Sequence, residues 1–381
     1  MTDFLNTPTT SGFLPYLTNT ARKNFNLDPW LTILLGLVAV FGLVVLYSSL
    51  GKDQAAVVAL VVKLGFGFGL MVAACCISPL TYFRLTPMIY VGVVLLLVVV
   101  MFFGESAKGS QRWLDLPGLP RFQPSELLKL AIPLMIGWYF CLRSFKLKLL
   151  DFCVVLAIAG IPTALVLLQP DYGTAMILLL GTAGVLFVVG LRWYWIVLAI
   201  VLFAALVPFA WLYLLHDYHR TRISILFNPD SDPQNAGWNI LQSKTAIGSG
   251  GLTGKGLFNG TQSQLDFLPE GHTDFVLAVI GEELGFVWCT LLLLCYLLIF
   301  IRVLYLSIRS SNGFGHLVSA GIAIIFFLYV VVNVAMVLGL LPVIGLPLPL
   351  VSYGGTSAVS TLVSFGVVMA ICTRKQWMDR E

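Results

Sequence analysis

Long apolar runs recur along almost the whole of this chain. A helix that crosses a membrane needs about 20 mostly apolar residues. Hydrophobic residues make up 59% of the 381 residues, and charged residues make up only 10%. The mean hydropathy of +0.94 lies far outside the range of soluble domains. We therefore predict an all-α integral membrane protein, a single polytopic domain over residues 1–381 with about ten transmembrane helices.

The predicted spans follow from the position of each apolar run. They lie at 30–49, 55–77, 87–103, 126–142, 150–168, 172–191, 193–215, 274–303, 317–341 and 354–372. No short apolar leader precedes the first of them, so we expect the first span to act as its own targeting signal. The seven cysteines fall in or beside these runs, which is typical of packing residues and not of a disulfide framework.

Lysine and arginine collect in alternate loops, and this asymmetry sets the orientation. Cytoplasmic loops carry an excess of these residues. With the N-terminus inside, the cytoplasmic set is Arg22, Lys23, Arg84, Arg143, Lys146, Lys148, Arg192, Arg302, Arg309, Arg374, Lys375 and Arg380. Both termini are then cytoplasmic. A long loop at 216–273, between helices 7 and 8, lies on the outer side, as do the loops 104–125 and 342–353.

Eight positive charges remain on the outer side, against this rule. They are Lys52, Lys108, Arg112, Arg121, Arg220, Arg222, Lys244 and Lys255. Their clustering in two polar loops indicates an anionic ligand on the outer face. Arg112 also stands beside Trp113, an amphipathic ring suited to the membrane interface. The formal net charge of +4 implies no nucleic acid partner.

The fourth span begins with two opposite charges. Pro124 is expected to open a helix, with Glu126 in its first turn. Glu126 and Lys129 stand three residues apart, so they share a helix face and can pair. Such a pair is either a buried structural contact or the wall of a binding pocket, and the spacing leaves both open.

Four polar residues mark the entry to the eighth span: Glu270, His272, Thr273 and Asp274. Thr273 is predicted as the N-cap, with Asp274 in the first turn of the helix. A carboxylate at a membrane boundary is costly unless it is hydrated, paired or functional, so Asp274 is a candidate site residue. The alternative is that Asp274 only favours the positive end of the helix.

Four other charged residues lie in or near the predicted spans, and their positions allow a prediction for each. Glu282 and Glu283 would lie about 12 Å along the helix from Asp274 and on other faces. They therefore do not form a two-carboxylate glycosidase site with it. Asp171, in a tight outer turn, is assigned a structural role. Lys63 lies within the second span and could either snorkel outward or face the interior.

Two outer loops carry further signals. Lys244 is followed by a glycine-rich stretch, and free backbone N–H groups there could cradle a pyrophosphate. The Gly254-Lys255 pair departs from the phosphate-binding loop pattern on both sides, so that motif is rejected. The loop 342–353 is apolar and rich in proline and glycine. Irregular backbone at membrane level must be buried, so this loop is expected to pack into the outer vestibule.

Six motifs, in order, resemble those of the SEDS family, named for shape, elongation, division and sporulation. They are GSQRWL (109–114), QPSELLK (123–129), QPDYGT (169–174), GTQSQLDFLPEGHTDF (260–275), GEELG (281–285) and LPLPLVSYGG (346–355). The resemblance runs from the first span to the last. The forms QRWLDL and GTQSQLDFLPE look more like the elongation member of the family than the division member.

This resemblance implies a peptidoglycan glycosyltransferase of the bacterial inner membrane, with its active site facing the periplasm. Such enzymes polymerise lipid II into glycan strands for cell elongation and rod shape, with a class B penicillin-binding transpeptidase as partner. By the same resemblance, Asp274 matches the family's essential acid. Arg112, Glu126 and Lys129 match its outer-cavity residues. The candidate substrate-binding residues are Arg112, Trp113, Gln123, Ser125, Glu126, Lys129, Lys244, Glu270, His272 and Thr273.

The chemistry implied is an inverting displacement with undecaprenyl pyrophosphate as the leaving group. It needs a base on the incoming hydroxyl and positive charge on the departing pyrophosphate. Asp274 is the candidate base, and Arg112, Lys129 and Lys244 are the candidate cations. A divalent cation such as Mg²⁺, held by Asp274, is the competing role for that acid. The rival functions are a lipid II flippase using the same cavity and a scaffold for the transpeptidase.

Overall fold

A computed structural model describes most of the chain and shows an all-α architecture. The described residues are 27–51, 53–107, 110–115, 121–143, 149–191, 194–195, 197, 201, 205, 236–265, 267–268, 270–310 and 312–372. The helices are α1 Pro29–Ser49, α2 Gln54–Cys76, α3 Pro79–Phe103, α4 Leu128–Cys141, α5 Leu149–Leu168, α6 Tyr172–Val189, α7 Ala236–Gly250, α8 Thr261–Gln264, α9 Val276–Glu283, α10 Gly285–Arg309, α11 Gly313–Val337 and α12 Gly355–Cys372. A hairpin of β1 (Glu105–Ala107) and β2 (Ser110–Trp113) follows α3.

Eight of these helices are long and apolar enough to cross a membrane: α1, α2, α3, α5, α6, α10, α11 and α12. The predicted fold class is therefore confirmed. The predicted fourth span is a 3-10 turn, Pro124–Leu127, that leads directly into the shorter α4. The predicted seventh span and the first part of the long outer loop lie mostly or wholly outside the described residues, so the count of ten stays a prediction.

Polar side chains at the helix starts explain where several helices begin. Asp28, Asp53, Asp171 and Asn312 each accept a hydrogen bond from a backbone N–H in the first turn of the following helix. These N–H groups have no partner inside the helix, and a short polar side chain supplies one. The caps therefore fix the starts of α1, α2, α6 and α11 in the sequence.

The helix α11 forms the centre of the bundle. In its most apolar stretch 67% of the residues are buried, against 22% for α2 and for α3. It packs against α4, α6, α10 and α12. The outer surfaces of α1, α2 and α3 expose large apolar side chains such as Val62 and Met88, as expected of lipid-facing positions. Any polar group on α11 therefore lies inside protein and needs a partner there.

The predicted eighth span is wrong as a continuous helix. It divides at Leu284 into α9 and α10, and Asp274 lies in a turn before α9, not in a first helical turn. Thr273 is not the N-cap, because the N-cap of α9 is Phe275. The break arises because outer-loop backbone inserts there: the N–H of Phe286 donates to the carbonyl of Gly251 over 3.0 Å. Hydropathy does not report such an insertion.

Two outer segments also have structure that bears on the site. Part of the predicted long loop is helical and forms α7. This helix packs on α9, and the Ser243 hydroxyl donates to the Val337 carbonyl of α11 over 2.8 Å. The loop 342–353 is irregular, and its Leu346, Leu348 and Val351 are buried. The expectation that this irregular loop is buried against protein is confirmed, and its packing into an outer vestibule stays a prediction.

We expect Gly285→Ala to destabilise the protein. Gly285 has φ +82°, and a β-carbon there would lie 2.3 Å from the backbone nitrogen of Gly254. A left-handed non-glycine residue costs about 1–3 kcal/mol even without a clash. The unfolding temperature of the purified protein in detergent should therefore fall. The matched control is Gly36→Ala in α1, whose β-carbon would have open space, so it should not lower that temperature. Equal unfolding temperatures for the two variants would contradict the broken helix.

Candidate functional site

Two side chains of α11, one helical turn apart, bring the predicted site elements together. The Lys129 ammonium lies 3.7 Å from the centroid of the Tyr329 ring. The Asn333 amide donates to the backbone carbonyls of Asp274, over 2.9 Å, and Leu346, over 2.7 Å. Residues four apart on a helix are separated by about 6 Å along its axis. The Lys129 region and the Asp274 turn therefore meet on one part of α11.

The Glu126–Lys129 ion pair forms as its spacing predicts, and both side chains are buried. Two serines of α12 complete it: the Lys129 ammonium donates to Ser357 over 3.3 Å, and the Ser360 hydroxyl donates to Glu126 over 3.2 Å. A cavity of about 20 Å³ adjoins Lys129, which is enough room for one water molecule. The two charges are thus compensated by each other and by serines, beside a small cavity lined by both polar and apolar side chains.

Asp171 gathers the residues of the first outer loop. Its carboxylate lies 3.2 Å from the Arg112 guanidinium and accepts a 2.8 Å hydrogen bond from the Gln123 amide. Gln123 also donates to the Ser125 hydroxyl over 2.8 Å. The same carboxylate caps α6 through the N–H of Thr174. The predicted structural role of Asp171 is therefore confirmed, and the residue in addition holds Arg112 beside the outer ends of α4 and α6.

Two outer candidates remain, Trp113 and Lys244. Trp113, next to Arg112 on β2, is half-buried. Lys244 on α7 is exposed, and its side chain runs past Gly339, where a β-carbon would lie 2.6 Å from Lys244 Cε. Among the described residues, no carboxylate pairs with Lys244. It therefore stands at the outer end of α11 with its charge uncompensated by the described part of the chain.

The turn that carries Asp274 is held by its own backbone and side chains. The Glu270 carbonyl accepts hydrogen bonds from the N–H groups of Thr273 and Phe275, each over 3.1 Å. The Thr273 hydroxyl donates to the Glu270 carboxylate over 2.6 Å. The His272 carbonyl accepts from the N–H of Tyr353 over 2.9 Å. Glu270, His272 and Thr273 therefore shape the turn around Asp274.

The Asp274 carboxylate itself points toward the loop 342–353. A β-carbon at Gly345 would lie 3.3 Å from Asp274 Oδ2, and Gly345 has φ +80°. Asp274 is half-buried. The glycine thus lets the loop backbone pass close to a carboxylate that keeps partial access to solvent.

Glu282 and Glu283 bind groups of the outer loop and of α1. These contacts agree with the expectation that neither forms a carboxylate pair with Asp274. Glu282 accepts hydrogen bonds from the Lys255 ammonium and from the N–H groups of Thr261 and Gln262, all within 2.9 Å. Burial raises the pKa of Glu282, but the N–H of Gln262, Lys255 and its other donors together hold that pKa below its ordinary value. Glu283 accepts from Ser48 over 2.6 Å. Both acids fasten the outer loop to α9.

Sequence reasoning missed several contributors. Asn333, Tyr329, Ser357 and Ser360 were not singled out, although a lone amide in an otherwise apolar span was a signal for Asn333. The choice left open for Lys63 is settled by its ammonium, which lies 5.3 Å from the centroid of the Tyr353 ring. Lys63 therefore faces the protein interior.

Comparison with known proteins gives one family. A family model described as cell cycle protein, FtsW/RodA/SpoVE, matches residues 26–376. The chain is 43% identical over 366 residues to the peptidoglycan glycosyltransferase MrdB of Escherichia coli (strain K12), covering 95% of this chain and 99% of that protein. It is 35% identical over 371 residues to the probable peptidoglycan glycosyltransferase FtsW of Trichlorobacter lovleyi, covering 92% and 95%.

Solved structures agree. The fold matches a chain from work described as structural coordination of polymerization and crosslinking by a peptidoglycan synthase complex. That match has a TM-score of 0.79 and 32% identity, over 90% of this chain and 97% of that one. The Thermus thermophilus rod shape determining protein RodA matches with a TM-score of 0.69 and 30% identity, over 90% and 96%.

The buried ion pair predicts strong coupling between Glu126 and Lys129. Either residue changed to Ala strands the other charge, so each single variant should lose about 3–5 kcal/mol of unfolding free energy. The double variant should lose much less than the sum, as measured by a double-mutant cycle on unfolding in detergent. The control is the exposed Arg121–Asp115 pair, where coupling should stay below about 1 kcal/mol. Similar coupling in both cycles would show that burial of the first pair has no energetic effect.

Asn333→Ala should loosen the Asp274 turn. The substitution leaves the carbonyls of Asp274 and Leu346 without their donor, which costs about 1–3 kcal/mol for buried groups. Hydrogen exchange measured by mass spectrometry should rise around 270–275 and 344–350. The control is Asn259→Ala, which removes an exposed amide with a long 3.4 Å bond to the Lys255 carbonyl. Unchanged exchange in the Asn333 variant would refute its role in holding the turn.

Proposed function

The chain belongs to the FtsW/RodA/SpoVE family and is a peptidoglycan glycosyltransferase, and we propose that it polymerises lipid II with Asp274 as the catalytic base. The proposed product is a β-1,4 glycan strand made for cell elongation and rod shape. The active site then faces the periplasm from a multi-pass protein of the inner membrane. The basic cytoplasmic loops support that orientation.

One observation carries the proposal: α11 joins the half-buried Asp274 turn to the Glu126–Lys129 pocket through contacts one turn apart. The Asp274 turn and the Lys129 ammonium are thereby held one helical turn apart along α11. An acyl or phosphoryl transfer site would need other groups, such as an activated nucleophile or a phosphate-binding loop. A single displacement at a sugar carbon needs a base and a cationic site for the leaving group, which these residues can supply.

The proposed step is a single displacement at the anomeric carbon. The 4-hydroxyl oxygen of one saccharide attacks the anomeric carbon of the other, and the bond from that carbon to the pyrophosphate oxygen breaks. The hydroxyl proton moves to the Asp274 carboxylate. The pyrophosphate leaves with the electron pair of the broken bond. Attack from the face opposite the leaving group converts an α-linked donor into a β-linked product.

Arg112 and Lys244 are the proposed contacts of the leaving group. A guanidinium has five N–H donors in a planar fork, so Arg112 can hold Asp171 and phosphate oxygens at once. Asp171 keeps that fork in place, at 3.2 Å. Lys244, exposed at the outer end of α11, adds a mobile point charge. Glu126 neutralises Lys129, so the pair is proposed to shape the pocket wall beside the reacting saccharides, with Gln123 and Ser125.

The half-buried Asp274 carboxylate fits a divalent cation such as Mg²⁺ as one oxygen ligand. Within the described ranges no three His, Cys, Asp or Glu side chains converge on such an ion. When bound, the ion would offset negative charge on the pyrophosphate, whose oxygens would complete its ligand set. The residues of the turn would then position Asp274 as a ligand.

The partner is proposed to be a class B penicillin-binding transpeptidase. The support is the likeness to a chain of a peptidoglycan synthase complex in which polymerization and crosslinking are coordinated. The glycan strands made here are the substrate that a crosslinking enzyme consumes.

Asp274→Asn should abolish polymerisation while leaving the fold intact. An amide cannot accept the hydroxyl proton, and general base catalysis contributes about 10²–10⁴-fold in rate. The measurement is glycan formation from purified lipid II by the full-length protein in detergent, with unfolding temperature as the check on folding. The control is Asp53→Asn, an exposed acid whose capping role asparagine preserves.

Two outcomes would count against this function. Wild-type rates in the Asp274→Asn protein would remove Asp274 from catalysis. Absence of polymer from the wild-type protein, together with lipid II movement across vesicles, would favour the flippase.

A further inference from the structure

One cation inside the bundle has no part in the site described so far: Lys63 of α2. It is the tenth residue of α2, so it lies about 14 Å along the axis from the outer end of that helix. That is roughly half way through a hydrocarbon core of about 30 Å. A charged side chain at this depth is costly and marks a functional site by default.

Lys63 is directed at the protein and not at the lipid. Its ammonium lies 5.3 Å from the centroid of the Tyr353 ring. Its side chain runs along the start of α12, where a β-carbon at Gly355 would lie 2.8 Å from Lys63 Cδ and 3.6 Å from Nζ. Among the described residues, no carboxylate forms an ion pair with it. The Tyr353 ring face offers a weak attraction for the cation but no neutralising charge.

A second lysine, Lys129, lies at the same end of α12, and it differs from Lys63 in having a carboxylate partner. Lys129 donates to Ser357 and is neutralised by Glu126. Lys63 contacts residues just before Ser357, and within the described part of the chain no acid pairs with it. The start of α12 therefore stands between one compensated and one uncompensated ammonium group. An anion from outside the chain would complete the second site.

A single residue, Tyr353, links Lys63 to the turn that carries Asp274. The Tyr353 ring packs against the His272 ring with centroids 6.3 Å apart. The N–H of Tyr353 donates to the His272 carbonyl. Since His272 precedes Asp274 by two residues, a ligand held at Lys63 would lie next to the segment that carries the proposed base.

We propose that Lys63 binds a lipid-borne phosphate, namely the diphosphate of the second lipid-linked saccharide in the reaction. This inference rests on the proposed function. Polymerising lipid II joins two molecules that each carry a diphosphate, and only one of the two leaves. Arg112 and Lys244 are assigned to the leaving group, so the retained diphosphate needs its own cation. Lys63 holds that spectator group and thereby positions its saccharide toward Asp274.

The test compares Lys63→Met, Lys63→Arg and wild type in full-length protein, with lipid II as the varied substrate. Methionine keeps the apolar stem and removes the charge. Because a charge-assisted contact to phosphate is lost, KM for lipid II should rise about 10- to 100-fold, with kcat nearly unchanged. Lys63→Arg should restore KM. Unfolding temperatures equal to wild type would show that the change is in binding.

The matched control is Arg309→Met. Arg309 also lies over a tyrosine ring, 4.5 Å from that of Tyr305, but at the inner end of α10. Its loss should leave KM unchanged. A rise in KM for both variants would overturn the assignment, because a general loss of positive charge would then explain the effect.

Two arms separate the possible sources of the phosphate. The assays are run in phospholipid-free detergent and in phosphatidylcholine vesicles with or without phosphatidylglycerol. A KM defect of Lys63→Met in detergent supports the substrate diphosphate. A defect seen only when phospholipid is present would overturn that source in favour of a lipid headgroup. If wild type polymerises and Lys63→Met matches it everywhere, this inference fails alone, whereas an inactive wild type would refute the proposed function.

Discussion

The outer half of the protein depends on the polar contacts that α11 makes inside the bundle. A buried donor or charge without a partner is costly in an apolar interior. Because α11 is the most enclosed of the spanning helices, Tyr329 and Asn333 find their contacts only in neighbouring segments. Asn333 therefore fixes the Asp274 turn and the loop 342–353 to one point. Tyr329 fixes the Glu126–Lys129 pocket one turn away.

This arrangement places the proposed base on irregular backbone and supports it from three sides. Asp274 precedes α9, its carbonyl is held by Asn333, and its carboxylate lies against Gly345. The break between α9 and α10 lets α9 take a direction of its own. A continuous helix would instead keep the 270–275 turn on the axis of α10. Glu282 and Glu283 bind outer-loop residues beside this break, namely Lys255 and Ser263. These two acids thus fix the outer loop to the helix that follows the proposed base.

Sequence reasoning found the elements whose signal is local. The apolar runs give the spanning helices, and the three-residue spacing gives the Glu126–Lys129 pair, because both follow from helix geometry alone. The motifs gave the family, which the comparisons confirm. Sequence reasoning failed where backbone that is distant in sequence determines how a helix ends. The loop that divides the eighth span contacts it across about thirty-five residues of sequence, through Gly251 and Phe286. Nothing near Thr273 indicates that insertion, so a plausible N-cap was predicted there.

The distribution of ion pairs argues for an enzyme and against a transporter. At the inner end, Asp28 pairs with Arg302 and Asp151 pairs with Arg143, and each pair joins the ends of two helices. Both acids are buried under their arginines and so serve as structural links. Away from the inner end, Arg112 pairs with Asp171, Lys63 lies beside Gly355 at the start of α12, and Lys244 lies beside Gly339 just after α11. An alternating-access carrier needs binding groups that become accessible from both sides of the membrane in turn. The described acids near the inner end are instead engaged by arginines, and the cations that we propose for the two diphosphates lie elsewhere, which favours the proposed transferase over a carrier.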